Sequence, residues 1–288
     1  MELKEKINSK INKTIKYVFN LDDGLIIEVT YIDNGSDKDI ICVASQTMCA
    51  MSCSFCHLTD HVGKIKLRNV DASEINQTVD MIYKDLSLAD KNRRLHISYM
   101  GCGESLANAK EVERSMLWIK NEFANVTFGL ATILPKKHWL DLFKLAHFVK
   151  KNDIKLKVHL SLHYTDDETR FKFMPSALDI NSSIAALEFY KGITGNDVEV
   201  HYTMIKGEND TIQNEVKLGI LLFKRNISVK FLRFNSKKSN DNEKSEMGTI
   251  TKFRESLRTS GIISQYYESP GHDIAASCGE FLLDEYSK

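Results

Sequence analysis

Three cysteines stand close together early in the chain, as Cys49-Ala-Met-Ser-Cys53-Ser-Phe-Cys56. Three thiolates in such a run can hold three irons of a four-iron four-sulfur ([4Fe-4S]) cluster, which leaves the fourth iron without a protein ligand. An open iron can chelate the amino and carboxylate groups of S-adenosylmethionine and pass an electron to its sulfonium, which gives a 5′-deoxyadenosyl radical. The spacing therefore predicts a radical-generating cluster on Cys49, Cys53 and Cys56.

Zinc is the competing interpretation of the same cysteines. A structural zinc ion takes a closed set of four ligands, and His57 and His61 lie near enough in the sequence to complete such a set. The ligand count favours the cluster, because the three thiols need no histidine to form it. From the spacing alone, zinc stays open as the alternative.

The bulk composition is typical of a cytoplasmic enzyme. Lysine plus arginine and aspartate plus glutamate number 39 each in 288 residues, so no net positive charge attracts the chain to nucleic acid. No apolar run approaches the roughly 18 residues that span a bilayer, and the charged first residues do not resemble a secretory signal. We expect a cytoplasmic location without a membrane partner. In that reducing compartment, clustered thiols indicate metal or redox chemistry rather than structural disulfides.

The first forty-five residues predict a helix and a hairpin. Leu3, Ile7, Ile11, Ile15 and Phe19 recur at helical spacing, which predicts a helix over residues 3–19. Apolar runs at 24–32 and 39–45, separated by an Asn-Gly turn, predict two strands.

The rest of the chain alternates between helices and strands. The predicted helices lie near 72–87, 107–123, 137–150, 180–192 and 212–224, and the predicted strands at 95–100, 126–133, 155–161, 198–205 and 228–234. Such alternation indicates a parallel sheet covered by helices, because each crossover must return the chain to the same end of the sheet. The polar motifs follow or finish predicted strands, so we expect them to meet at the carboxyl end of the sheet.

Five motifs together resemble one family. The cysteine run with its flank from Cys42 resembles that of the class A radical S-adenosylmethionine methyl synthases, the RNA adenine C2/C8 methyltransferases of the large-subunit ribosomal RNA type. The other matching motifs are the Gly103-Glu104 turn, the Ser161-Leu162-His163 strand end, Asn235 after a late strand, and the Asp-Ile-Ala-Ala-Ser-Cys278-Gly segment. The match runs from about residue 24 to about residue 280.

The resemblance implies an α/β fold, a partial (βα)6 barrel with a short N-terminal helix and β-hairpin extension. We expect the extension at 1–45, and the barrel at 46–288 with a C-terminal segment that carries the methyl-accepting cysteine. The sequence gives no reason to prefer an open Rossmann sheet. In the family pattern, Glu104 meets the cofactor ammonium, while Ser161, Leu162, His163 and Asn235 surround the rest of the cofactor. A further family serine has no clear counterpart, because Gly129 stands at its position and Thr132 matches only with a shift.

The resemblance also implies a reaction that consumes two molecules of S-adenosylmethionine per turnover. An sp2 adenine carbon has no lone pair to attack a sulfonium methyl, so a radical route is needed. Cys278 accepts a methyl group from the first molecule, and the radical from the second removes hydrogen from that S-methyl group. The methylene radical adds to the base, a base removes the ring proton, and Cys42 attacks the Cys278 sulfur to release the product. The resulting disulfide must then be reduced. The implied partners are RNA and an electron donor such as flavodoxin or ferredoxin.

Three other residues near the motifs have candidate roles. Glu28 is the candidate proton acceptor, because the family has a glutamate on the strand before the resolving cysteine, and apolar neighbours would raise its pKa toward working pH. Cys102 stands where the family usually has methionine, which indicates packing. His272 replaces an acidic family residue and suits either proton transfer or a surface position.

Departures from the family pattern concern the substrate. Only about twenty residues precede the first family strand, whereas ribosomal members carry an accessory domain of roughly a hundred residues there. A basic stretch before Cys278 is absent, and the Lys237-Lys238 loop offers replacement phosphate contacts or a solvated charge run. Three functions therefore stay open: methylation of RNA adenine, the same chemistry on a nucleotide, DNA, peptide or small metabolite, and a degenerate relative that binds without turnover. The last predicts a missing catalytic thiol, and both thiols are present.

Overall fold

The protein, described here by a computed structural model, contains one large mixed β-sheet flanked by helices. The structure describes residues 1–35, 38–91, 93–236, 243–277 and 279–281. Within them, the strands are β1 (Glu2–Asn8), β2 (Thr14–Asn20), β3 (Ile26–Asp33), β4 (Lys38–Cys42), β5 (Arg94–Tyr99), β6 (Val126–Thr132), β7 (Leu156–Ser161), β8 (Val198–Met204), β9 (Ser228–Arg233) and β10 (Ser264–Tyr267). The α-helices are α1 (Ala72–Asp85), α2 (Ala109–Glu122), α3 (Asp141–Lys151), α4 (Asp167–Phe173), α5 (Ile180–Thr194), α6 (Ile212–Leu222) and α7 (Met247–Thr259). Short 3-10 helices span His57–His61, Leu88–Lys91, Ser105–Asn108 and His272–Ile274.

The strands follow one another in the sheet in chain order, from β1 to β10. Neighbours from β1 to β4 are antiparallel, and neighbours from β4 to β10 are parallel. Helices provide the crossovers between the parallel strands, since a parallel neighbour requires the chain to return to the starting end of the sheet. The carboxyl ends of seven strands therefore lie along the same edge.

The sheet curls into an open barrel. Cys42 at the end of β4 and Tyr267 at the end of β10 line the same cavity, although they are six positions apart in the strand order. In a flat sheet, six spacings of about 4.8 Å would separate them by about 29 Å. This arrangement confirms the predicted α/β partial barrel. Separately, no helix among the described residues is long and apolar enough to cross a membrane.

The helices that cover the barrel follow the predicted apolar periodicity. In α1, Ile75, Val79 and Ile82 are buried at helical spacing, and a capping box between Asp71 and Glu74 fixes the first turn. The helices and strands predicted between residues 72 and 234 are all present, with bounds shifted by a few residues. The sequence did not predict α4, α7 or β10.

The predicted helix at residues 3–19 is wrong, because this segment forms the antiparallel β1–β2 hairpin. The apolar residues at helical spacing do not form a buried face, since Leu3 is 42% exposed and Ile11 is 70% exposed. Consecutive residues Tyr17 to Phe19 are instead buried on both faces of β2, which pairs with β3 along its whole length. Pairing with β3 and burial of aromatic and β-branched side chains decide the local structure.

Candidate active site

Three of the four cofactor motifs meet in one cavity at the carboxyl end of the parallel strands. Cys56 from the cysteine loop, Ser161 and His163 from the end of β7, and Asn235 after β9 all line this cavity, which we call the cofactor cavity. The other lining residues are Phe55, Met100, Ala131, His201, Thr203, Leu232, Arg233, Phe234 and Gly279. Barrels of parallel strands place their chemistry at this end.

The cysteine loop is held by internal hydrogen bonds, and burial affects the thiols of Cys49 and Cys53. The backbone N–H of Cys56 donates to the Cys53 carbonyl at 3.0 Å, and the Thr59 hydroxyl donates to the same carbonyl. Burial raises the pKa of the Cys49 thiol to about 12, and it raises the pKa of Cys53 well above its ordinary value. Thiols of this kind lose their protons when a metal centre supplies compensating positive charge, as binding of iron would do here.

The geometry fits a cluster better than a single zinc ion. Four ligands around one zinc ion at about 2.3 Å from sulfur lie about 3.8 Å from one another. Among the residues that the structure describes, only His159, Glu199 and His201 bring three metal-ligating atoms within 4.8 Å of one another, and the loop cysteines form no such group. The ring of His57 faces the Asn235 carbonyl at 3.4 Å. Three thiols on one loop, farther apart than the ligands of a single zinc ion, suit the corners of a larger iron–sulfur centre.

The group of two histidines and Glu199 in the barrel interior is an ion-pair network. Lys157 and Lys230 place their ammonium groups 3.0 and 2.9 Å from the Glu199 carboxylate. Two cations therefore already neutralise the acidic ligand, and a metal ion there would meet net positive charge. This group fills the interior below the cofactor cavity.

The Gly103-Glu104 turn requires its glycine. Gly103 has φ +103°, and a Cβ atom there would lie 2.7 Å from the Cβ of Gln46. Gln46 in turn accepts a hydrogen bond from the Glu104 N–H, with 3.0 Å between its Oε1 and the nitrogen. Only glycine allows the turn to approach the segment before the cysteine loop this closely.

Glu104 is a buried carboxylate beside the cysteine loop. Its two oxygens accept the N–H groups of Leu106 and Ile133 at 3.1 and 3.0 Å. Burial raises the pKa of Glu104, although these N–H groups and the Thr132 hydroxyl act in the opposite direction. A carboxylate already oriented by backbone donors suits recognition of an ammonium group. Thr132 thus contacts Glu104, while a Cβ on Gly129 would lie 3.0 Å from the ring of His96.

The end of β7 presents His163 as a neutral hydrogen-bond donor. His163 is buried with φ +58°, and its Nδ1 accepts the Thr203 N–H at 3.0 Å. Burial, together with the neighbouring His201 and Arg170, lowers the pKa of His163 to about 3. Because Nδ1 accepts, the ring hydrogen is on Nε2, which can donate to an acceptor in the cavity. Leu162 contributes its backbone, since its N–H donates to the His201 carbonyl at 3.1 Å.

Two buried side chains that the sequence did not indicate hold these strand ends. Asn209 donates to the carbonyls of His163 and Thr203 at 2.6 and 2.7 Å. Arg170 on α4 donates to carbonyls of the β6 and β7 ends, including Ile133 at 3.1 Å and Leu162 at 3.2 Å. Asn209 follows β8 within a Gly-Glu-Asn-Asp turn, which was a usable signal, whereas Arg170 had none because α4 was not predicted.

Replacing Arg170 by methionine is expected to lower the free energy of unfolding by at least about 3 kcal/mol. The substitution removes four hydrogen bonds to backbone carbonyls. Each carbonyl that is left buried without a donor costs about 1–3 kcal/mol, and the others lose one of two donors. Urea denaturation followed by circular dichroism measures the change. Arg225→Met is the control, since this arginine pairs with Glu188 at the surface and such pairs contribute less than about 1 kcal/mol. Equal losses in the two variants would contradict the role of Arg170.

A second cavity, which we call the thiol cavity, adjoins the cofactor cavity. Cys42 and Glu28 line it together with Ser277 and Gly279. Cys278 itself lies outside the described residues. The remaining lining residues are Lys16, Thr30, Ile32, Met100, Gly101, Tyr267, Ser269, Ala276, Glu280 and Phe281. Met100 and Gly279 line both cavities, so the cysteine loop, Cys42 and the two neighbours of Cys278 face connected space.

The surroundings of Glu28 differ from the sequence-based expectation. Apolar neighbours were expected to raise its pKa, but the Lys16 ammonium lies 2.5 Å from Glu28 Oε2, and both side chains are buried. The helical interpretation of residues 3–19 concealed this contact, because only the β2–β3 pairing brings Lys16 across to Glu28. The carboxylate therefore has a buried partner of opposite charge, where the sequence predicts apolar neighbours.

The other residues singled out in the sequence lie apart from the two cavities or outside the described residues. Cys102 is buried in the hydrophobic core. His272 is largely exposed and its Nδ1 lies 2.6 Å from Glu280 Oε1. Lys237 and Lys238 lie outside the described residues.

Comparison with known proteins agrees with this geometry. No family model matches the chain. The chain is 31% identical over 289 residues to the probable dual-specificity RNA methyltransferase RlmN of Clostridioides difficile, an alignment that covers 97% of this chain and 79% of the relative. It is 30% identical to RlmN of Aliarcobacter butzleri over 99% of this chain and 81% of that protein. The chain belongs to the RlmN family.

Two solved structures have the same fold as this chain. A radical S-adenosylmethionine methyltransferase from Sphaerobacter thermophilus matches with a TM-score of 0.85 and 27% identity, covering 97% of this chain and 80% of that one. Streptococcus suis SuiB bound to S-adenosylmethionine matches with a TM-score of 0.59 and 12% identity, over 83% of this chain and 52% of that one, and shows a shared fold. The RlmN-family chain described here is therefore a radical S-adenosylmethionine methyltransferase.

Proposed function

We propose that this protein methylates an sp2 carbon of adenine, C2 or C8, in RNA through an S-methylcysteine on Cys278. The observation that carries the proposal is the thiol cavity, in which Cys42, Glu28 and both neighbours of Cys278 face one space next to the cofactor cavity. The relatives of this chain support RNA as the substrate, because they are named as dual-specificity RNA methyltransferases and match nearly the whole chain.

The residues of the cofactor cavity fit a cluster and S-adenosylmethionine. Cys49, Cys53 and Cys56 would hold a [4Fe-4S] cluster, which, when bound and reduced, supplies the electron that cleaves S-adenosylmethionine to a 5′-deoxyadenosyl radical. Glu104 would accept hydrogen bonds from the cofactor ammonium. Ser161, His163 and Asn235 would hydrogen-bond its ribose, carboxylate or adenine edges, with His163 acting as a donor.

Three residues of the chain carry out the transfer of the one-carbon unit, as methyl acceptor, proton acceptor and resolving thiol. The Cys278 thiolate attacks the methyl carbon of one S-adenosylmethionine, and the former sulfonium sulfur leaves with the electron pair of the broken bond. After the methylene radical has bonded to the base, the radical adduct must return one electron to the oxidised cluster, and the Glu28 carboxylate takes the ring proton. The Cys42 thiolate then attacks the Cys278 sulfur, and the electron pair of the carbon–sulfur bond stays with the carbon unit, which takes up a proton to become methyl. The Cys42–Cys278 disulfide is reduced by two electrons before the next turnover, which a donor such as flavodoxin or ferredoxin or a cellular thiol can supply.

A second candidate keeps this chemistry and changes the substrate. The chain carries no net charge, and a protein without a net positive charge gains little from nonspecific attraction to phosphates. A free nucleotide, a peptide or a small metabolite would need fewer phosphate contacts than a large RNA, whereas DNA, the remaining alternative, carries a phosphate backbone like that of RNA. This observation alone favours the alternative, while the similarity to RNA methyltransferases favours RNA.

An anaerobic assay separates the two candidates. The reconstituted protein, S-adenosylmethionine and a reductant are incubated with total RNA lacking the modification, and in parallel with adenine nucleotides, DNA and peptides. Mass analysis of digested nucleosides is expected to find 2-methyladenosine or 8-methyladenosine in the RNA sample alone. A methylated product only in another sample would move the proposal to the second candidate, and the absence of any methylated product would contradict both.

A further inference from the structure

The thiol cavity contains a buried lysine for which the proposed reaction has no use. Lys16 lies on β2 with its side chain 1% exposed, and Glu28 beside it is 3% exposed. A buried ammonium persists only where opposite charge and hydrogen-bond acceptors compensate for lost hydration. Here the acceptors are the Glu28 carboxylate, 2.5 Å away, and the Ala275 carbonyl.

The strand register places Lys16 in line with the resolving thiol. Lys16 lies opposite Thr30 on β3, and Thr30 lies opposite Cys42 on β4. Directly opposite residues share a face of the sheet, so these three side chains form one row in the thiol cavity. Glu28 lies two residues from Thr30 on the same face, which makes it the diagonal neighbour of Lys16.

Lys16 also contacts the segment on both sides of Cys278. Its ammonium donates to the carbonyl of Ala275, three residues before Cys278, and lies 6.0 Å from the ring centre of Phe281, three residues after it. Ala275 has φ +50°, a conformation that an alanine adopts only when its surroundings hold it there. The lysine thus links the candidate proton acceptor to the flanks of the candidate methyl-accepting cysteine.

The rest of the β1–β2 hairpin supports the same segment. Asp273 accepts the Ser9 hydroxyl at 2.7 Å and the Lys10 N–H at 2.8 Å. At the start of the segment, a Cβ atom on Gly271 would lie 2.8 Å from Thr14 Cγ2, so the backbone lies directly against β2. The hairpin therefore forms the surface on which residues 271–277 rest.

We propose that Lys16 is a positioning residue, which holds the Glu28 carboxylate and the Ala275 carbonyl in the arrangement needed to remove the ring proton. The inference rests on the proposed function, in which Glu28 takes that proton. Lys16 acts through the two groups that it contacts, the Glu28 carboxylate and the Ala275 carbonyl. Its ammonium orients the carboxylate, and its bond to Ala275 fixes the distance between that carboxylate and the segment carrying the carbon unit.

The test is the Lys16→Met variant, which keeps the length of the side chain and removes its charge. We expect methyl uptake on Cys278, measured by peptide mass, to stay within about threefold of the wild type, because Glu28 takes no part in that step. Product formation is expected to fall at least about 30-fold, which is part of the roughly 100- to 10,000-fold that general-base catalysis contributes, while enzyme covalently joined to RNA accumulates. RNA deuterated at the adenine carbons should give a larger isotope effect on product formation than with the wild type, since proton removal becomes limiting.

Control variants separate this role from a loss of structure. Lys6→Met changes a lysine on the same hairpin that pairs with Asp85 at the surface, and it is expected to behave as the wild type. Lys16→Arg keeps the charge and should restore much of the product formation. If Lys16→Met yields no soluble protein, Lys16→Gln, which removes the charge and keeps an N–H donor on a side chain one atom shorter, should show the same adduct and isotope effect at reduced size.

Two results would overturn the inference. One is normal product formation by a folded Lys16→Met or Lys16→Gln variant. The other is a parallel fall in methyl uptake and product without an accumulated adduct, which indicates that Lys16 only stabilises the fold. If the wild-type protein itself forms no methyladenosine in the parallel assay, the proposed function is wrong. That outcome differs from the two results above, in which the wild type is active and only the Lys16 variants are informative.

Discussion

The Cys278→Ala variant is expected to take up no methyl group from S-adenosylmethionine and to form no methylated RNA. Alanine has no nucleophilic sulfur, so the one-carbon unit has no carrier, and product formation should fall at least about 1,000-fold, as for loss of a covalent nucleophile. Reductive cleavage of S-adenosylmethionine should stay measurable, because the residues around the cofactor cavity are unchanged. Protein mass analysis detects the methyl group, and chromatography of 5′-deoxyadenosine detects the cleavage.

The matched control for Cys278→Ala is Cys102→Ala. Cys102 is buried in the hydrophobic core and lines neither cavity, so its removal should leave methyl uptake and product formation close to those of the wild type. Normal product formation by the Cys278→Ala protein would remove the basis of the proposed chemistry. Loss of methyl uptake in both variants would show that the effect is not specific to Cys278.

Local signals in the sequence were sufficient to predict the parallel sheet and its helices, whereas the closure into a partial barrel was predicted from the resemblance to a known family. Apolar periodicity in α1 and runs such as β7 depend on residues close in the chain, and parallel order follows from the alternation. The meeting of Cys56, Ser161 and Asn235 in one cavity followed from the same logic, since residues at the carboxyl ends of parallel strands lie along one edge.

The missed features depend on partners far away in the sequence. Residues 3–19 have a helical spacing of apolar residues, but β2 pairs with β3, and the gain from that sheet contact exceeds any local preference. The contacts of Lys16 were not predicted for the same reason, because Lys16 reaches Glu28 and Ala275 only when residues 14–20 form a strand. Arg170 lies on a helix of seven residues that is too short for periodicity to reveal, and its acceptors come from the ends of three segments.

The Cys42→Ala variant is expected to perform one partial turnover and stop with RNA covalently attached to the protein. Methyl uptake and addition to the base need Cys278 and the radical, whereas release needs a second thiol to attack the Cys278 sulfur. Alanine at the end of β4 offers no such nucleophile, so the carbon–sulfur bond persists. Multiple turnover should fall at least about 1,000-fold, while the adduct approaches about one RNA per enzyme.

Gel shift under denaturing conditions, followed by nuclease and protease digestion and mass analysis, measures this adduct and maps it. The modified peptide should contain Cys278, and the Cys42→Ala/Cys278→Ala double variant should form none. The cavity geometry makes this expectation specific to Cys42, since Cys42 lines the space that Ser277 and Gly279 also line, whereas the buried Cys102 does not. Release of methylated RNA by Cys42→Ala at the wild-type rate would assign the resolving step to another group, and an adduct on any other peptide would assign the carrier elsewhere.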